Sequence, residues 1–257
     1  MQSLKPLAAI LLFAILTGCN LSMLPINVPN NISVINSKLA VPKPLSQEEA
    51  GQGLKEALKK GVAKGTEGLM KSGGFAQSLA YKILLPEEIR NLEQKIRGNV
   101  LLNAAIGKEL DKTIDAMNAG AEKAMTKALP IFTNAITNMS FMDAMKILTG
   151  GQGAATQYLQ NNTNTQLRQA FQPEIKSALE SVAIYNHWTP IVNTVNKNKK
   201  LLGLTEDVNP NLELYVTDKA MSALFKEIEI QENAIRKDPI NRTTELLQKV
   251  FKYADQY

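Results

Sequence analysis

From Ser46 to the C-terminus the apolar residues of this chain recur every three or four positions, and no segment alternates persistently between apolar and polar. A period near 3.6 lines such residues along one face of an α-helix, whereas a half-buried strand needs a period of two. The pattern predicts an all-α fold, a single compact multi-helix domain of about eight helices over 46–257. A segment of that length is enough to bury a sizeable core.

Punctuation residues divide the pattern. Ser46 with Glu49 forms a capping box that opens a first helix to about Lys71. Gly61, Gly65 and Gly68 recur inside it, and Gly73-Gly74 ends the segment. Pro86 suits the first turn of a second helix, with Ile89, Leu92 and Ile96 on one face. A third, from about Asn99, carries Ile106, Leu110, Ile114, Met117, Ala121 and Ala124. Pro130 kinks or restarts the helix that carries Ile131, Ala135 and Met139. Ser140 with Asp143 begins a short helix over 141–149, closed by Gly150-Gly151. Another spans about 153–171, Pro173 is expected to open the next, and 186–204 is the least regular stretch. Met221, Leu224, Phe225, Ile228 and Ile235 share one face of a long helix that stops at Asp238-Pro239. Asp238 as N-cap and Pro239 at the first position predict a final helix bearing Ile240, Thr243, Leu247, Val250 and Ala254.

The first residues read differently. Lys5 precedes an apolar run over 7–16 that is too short for a bilayer span, which takes roughly 20 residues. The run ends in Leu16-Thr17-Gly18-Cys19, the form of a bacterial lipobox. Residues 1–18 are therefore read as a lipoprotein signal peptide removed on export, and Cys19 as the lipid attachment (palmitate) site that makes the membrane a partner. The bland alternative is a plain secretory leader, or a buried core helix, with an accidental cysteine. Cys19 is the single cysteine of the chain, so its lipidation leaves the folded domain without disulfide or thiol chemistry. Asn20, in place of the aspartate that often retains such proteins in the inner membrane, points to the periplasmic face of the outer membrane. Residues 19–45, with Pro25, Pro29, Pro42 and Pro44, read as a tether. Such a stretch reaches on the order of 25–30 Å as a coil and about 90 Å when extended.

Charge excludes little but constrains partners. The chain has 29 Lys and Arg against 24 Asp and Glu, a formal net charge of +5, and loss of Lys5 lowers it by one. Lys59-Lys60 and the lysines of 197–200 are the basic clusters, read as solvated surface with contact to anionic lipid or glycan as the alternative. No motif for nucleic acid is present. His187 is the single histidine and lipidation of Cys19 leaves no free thiol, so neither a Cys–His pair nor a multi-histidine zinc site can be built; no metal and no cofactor is expected. Tyr185, His187 and Trp188 read as an aromatic cluster pinning a loop, with ligand stacking as the alternative.

Two features suit anions. Gly150-Gly151-Gln152-Gly153 precedes a helix, so its backbone amides suit an anion, although a C-cap joined to a helix start explains the glycines as well. Counting by threes and fours from Met221 lands Glu232 on an apolar stripe, where an unpaired charge costs several kcal/mol. Arg236, four residues on, and Arg242 are its expected partners, as a buried ion pair tying the last two helices or as a pair of arginines holding a ligand anion.

The motifs Asp143-Ala-Met-Lys-Ile-Leu-Thr-Gly150 and Gly153-Ala-Ala-Thr-Gln-Tyr158 resemble the signature of a bacterial family catalogued as domain of unknown function 4197. So do Tyr215-Val-Thr-Asp-Lys-Ala220 with Leu224-Phe225, and the closing run Glu232, Ala234-Ile-Arg236, Asp238-Pro239, Arg242-Thr-Thr244 and Leu246-Leu247. The resemblance covers roughly 46–251 and implies an exported helical domain with no established activity, so it supplies no catalytic residues. The chain departs from that family in its long Pro/Asn tether and in extra residues around 98–107. The reading that results is a non-catalytic binding or interaction module on a lipid tether in the cell envelope, with a protein or lipid partner in the periplasm. A carrier holding an apolar ligand between its helices is the rival. A hydrolase built on Glu232, Asp143 or Asp218 is the third.

Overall fold

The hydroxyl of Ser46 accepts from the Glu49 amide at 3.1 Å, and the Glu49 carboxylate accepts from the Ser46 amide at 2.9 Å. This reciprocal cap starts helix α1, Gln47–Met70. The computed structural model describes residues 46–200, 204–209 and 211–255, with all their side chains except those of Ile106, Tyr185, His187, Thr194, Pro239, Tyr253 and Ala254. The leader, the Cys19 anchor and the tether predicted over 1–45 lie outside the described residues.

After α1 come α2 (Glu87–Gly98), the single turn α3 (Val100–Leu102), a π-helical turn over Asn103–Gly107, and α4 (Lys108–Met125). Then follow α5 (Ala128–Thr137), α6 (Phe141–Thr149), α7 (Ala154–Glu180), α8 (Tyr185–Lys197), α9 (Leu212–Lys237) and α10 (Glu245–Ala254). No described residue lies in a strand, and the fold is all-α. No described helix is long and apolar enough to cross a membrane.

Three antiparallel contacts build the centre. The first is α1 on α9, where Gly65 lets the helices approach so closely that a Cβ there would lie 3.3 Å from the Ile228 backbone nitrogen. The second is α9 on α7, joined at one end by Glu232 to Thr156 and at the other by Arg168 to Asp218. The third is α7 on α4, where a Cβ on Gly120 would meet Ala178 at 3.0 Å. α5 adds Phe132, edge-on to Phe225 at 5.9 Å between ring centroids. Small residues at the crossings let the large ones interdigitate.

The irregular stretch between α1 and α2 is held by side chains of other helices. Buried Asn118 of α4 accepts from the Ile83 amide at 2.8 Å and donates to the Ile83 carbonyl at 2.9 Å, as a strand partner would. Glu122 accepts from the amides of Phe75 and Ala76, and Tyr81 donates to Glu227 at 2.6 Å. Burial first, and then the Glu227 carboxylate, push the Tyr81 phenol up to about 12.

Three sequence expectations are corrected. α7 runs through Pro173 without a break, because Phe171, Ile175 and Leu179 on either side are buried and that packing outweighs one missing hydrogen bond. Helix α8 occupies 185–197 and so takes up much of the stretch over 186–204 read as irregular. Asp238 and Pro239 do not begin the final helix: Pro239–Asn241 forms a 3-10 turn, and α10 starts at Glu245 with the Thr244 hydroxyl accepting from the Leu247 amide. Ile240 is consequently exposed and off the apolar stripe.

Candidate functional site

Glu232 sits on the buried face of α9 at 7 % exposure. Its Oε1 accepts from the Ala155 amide at 3.0 Å and its Oε2 from the Thr156 amide at 2.9 Å. The Thr156 hydroxyl donates to the same Oε2 at 2.8 Å. These two amides are among the four that the first turn of α7 leaves without intrahelical partners, and the helix dipole favours a negative charge there. Gly153, at φ +76, turns the chain into that helix in the left-handed region that glycine adopts without strain. The amides after the glycine-rich loop do receive an anion, and it is the protein's own Glu232.

Arg236, one turn along α9, donates through Nε to Glu232 at 2.9 Å. Its remaining nitrogens donate to the carbonyls of Ile147 at 2.7 Å and Leu148 at 3.3 Å, at the C-terminal end of α6. One acid–base pair on α9 thus caps the end of α6 and the start of α7 together. Arg242 is not part of it. Its guanidinium forms a two-pronged pair with Asp255, at 2.7 and 2.9 Å, and donates to the carbonyls of Ile235 and Arg236 at the end of α9. Two arginines therefore do not converge on one ligand anion, and the space left beside the Glu232–Arg236 pair is about 20 Å³.

Trp188 is 1 % exposed and lines an apolar cleft of about 330 Å³ between the start of α4 and α8. Leu110, Val182, Ile184 and Ile191 supply most of its walls, with Glu109 and Asn186 among the polar residues. The side chains of Tyr185 and His187, predicted to join Trp188, lie outside the described residues.

A groove of about 670 Å³ opens between α7 and α9. Gln157, Gln160 and Asn164 line one wall, Asp218, Ser222, Lys226 and Glu229 the other, and Met221 and Phe225 form the floor. Two of the motifs quoted from the sequence supply part of its lining, Gly153, Thr156 and Gln157 from one and Asp218 and Phe225 from the other. The rest of its polar wall is signalled by the run of amide side chains over 157–172, which places Gln157, Gln160 and Asn164 on one helical face.

The carboxylates named for hydrolysis are separately engaged. Asp143 caps α6 with Ser140, Asp218 pairs with Arg168, and Glu232 holds α7. Asp218 and Glu229 share the groove, but their spacing along α9 puts them about 16 Å apart, beyond the reach of a paired acid and base. Among the described residues no group of three or more His, Cys, Asp or Glu is placed to hold a metal.

The chain belongs to the family described as protein of unknown function DUF4197, whose profile matches residues 44–252. The match takes in the Glu232–Arg236 pair, both capped helices and the groove. No curated protein and no solved structure matches the chain.

Proposed function

We propose that this chain is a lipoprotein of the bacterial cell envelope, cut before Cys19, anchored by lipid on that residue at the periplasmic face of the outer membrane, and acting as a non-catalytic binding module without cofactor or nucleic acid. The observation that carries the binding role is the α7–α9 groove, an open polar surface between two long helices that Glu232 pins at one end. Binding surfaces are most effective when rigid elements hold the contacting groups before the ligand arrives. The acidic side chains named for catalysis are tied into caps and ion pairs instead. The test has two arms. Metabolic labelling with palmitate should mark the wild-type chain and not Cys19→Ala, and the variant should leave the membrane fraction. A photo-crosslinking residue at Gln160 should capture a ligand that the same residue at exposed Lys64 does not, and equal capture from both positions sinks the binding role.

A second reading is favoured by the cleft beside Trp188. Its volume of about 330 Å³ and apolar walls suit part of an acyl chain, as a carrier of apolar ligands requires. Lipid co-purifying with the wild type and lost from Ile191→Gln supports this reading, and an empty cleft in protein taken directly from membranes removes it.

A further inference from the structure

We propose that the groove between α7 and α9 takes a neutral oligosaccharide, which rests on the reading of this surface as the binding site. Gln157, Gln160 and Asn164 stand on one face of α7, and Ser222 stands opposite on α9. Among the described residues none of these four side chains has a hydrogen-bond partner, so each presents a donor and an acceptor to the groove.

The charges in the groove cancel one another. Arg168 pairs with Asp218, and Lys226 pairs with Glu229 at 3.0 Å. The two pairs sum to zero charge, so the groove presents no net field that draws in an anion or a cation. A neutral ligand needs no such field.

The apolar lining separates sugar from peptide. Met221 and Phe225 are the large apolar residues of the floor, and they are only 4 % and 7 % exposed. They offer a narrow strip, not pockets for the side-chain anchors that carry most of the binding energy in peptide and protein recognition. A sugar ring needs no pocket. Its hydroxyls donate and accept at once, as carboxamides do, and its C–H face covers a narrow apolar strip. From Thr156 to Arg168 the wall is about 18 Å long, so the ligand is a short chain and not a single ring.

The experiment titrates the full-length Cys19→Ala chain with neutral oligomers of glucose and of N-acetylglucosamine, with the cationic glucosamine oligomer, and with a neutral extended peptide. At least one neutral oligosaccharide should bind, and the glucosamine oligomer should bind more weakly. The double variant Gln160→Leu, Asn164→Leu should weaken binding about tenfold or more, since each lost hydrogen bond costs several-fold. Both residues are partly or fully exposed, and an unchanged melting temperature establishes that the variant folds; Gln160→Ala alone gives a second, milder measure. Binding of the peptide in preference to every sugar overturns the ligand class but leaves the groove as a binding site. Saccharide binding that the double variant does not alter overturns the site. Failure of every neutral oligosaccharide overturns the proposal, while crosslinking from Gln160 separately decides whether the groove binds anything.

Discussion

Glu232 and Arg236 meet at 2.9 Å on one turn of α9, and each also terminates a different helix. The carboxylate serves the first amides of α7 and the guanidinium serves the last carbonyls of α6. Removing either partner strands the other in a nearly dry site. Glu232→Ala is therefore expected to cost about 3–5 kcal/mol. Glu232→Gln should cost less, because its carbonyl oxygen still accepts from an α7 amide. Urea unfolding of both variants checks the order, and equal losses contradict the capping role.

Two glycines of α1 should respond in opposite directions. A methyl group at Gly65 meets the backbone of Ile228 at 3.3 Å and Glu227 at 3.4 Å, and backbone yields only if α9 moves. Gly65→Ala should cost about 1–3 kcal/mol. A methyl at Gly68 finds no atom within 4 Å, so Gly68→Ala should gain up to about 1 kcal/mol from helix propensity. Paired thermal unfolding of the two variants is the measurement.

Asn118 ties α4 to the Ile83 peptide group and serves both its amide and its carbonyl. Asn118→Ala strands both in a buried place, at about 1–3 kcal/mol each. Hydrogen exchange at Ile83 should accelerate well beyond exchange in α7. A uniform acceleration over the whole chain would count against a local role.

Glu49 gives a signature in acid. The Lys249 ammonium, together with the Ser46 amide and hydroxyl, holds its carboxyl down from 4.5 to about 2. A lowered pKa means the folded state releases this proton more readily than the unfolded state. The contribution is fully present above pH 4.5 and is lost as pH falls toward 2. The melting temperature of the wild type should fall more steeply over that window than that of Glu49→Gln.

Much of this was readable in the residues because it is local. Ser46 with Glu49 and Ser140 with Asp143 cap at a spacing of three, and Glu232 lies on the α9 stripe at a spacing of four from Arg236. The partner that gives Glu232 its purpose is 76 residues away in the chain, and nothing in a helical period points to it. Arg242 sits close to Glu232 in sequence, yet its carboxylate is Asp255, thirteen residues on, because the 3-10 turn after α9 redirects the chain. Pro173 misleads for a related reason: a local rule says the helix ends, and packing on both sides of the proline says otherwise. The groove amides are individually ordinary, and only the packing of α7 against α9 makes them a wall.

The packing of α1 against α9 and α10 also sets when this domain can form. Leu54, Ala57 and Val62 belong to the first of the described helices, yet α9 and α10 that cover them are the last two, and Lys249 reaches Glu49 across 200 residues. Contacts so distant in the chain require a long loop to close before they return any energy, and they slow folding relative to a bundle of sequential neighbours. A nascent chain that ends before Leu212 leaves one side of α1 uncovered. The α1 face that α9 and α10 bury then stays exposed until that part of the chain is made.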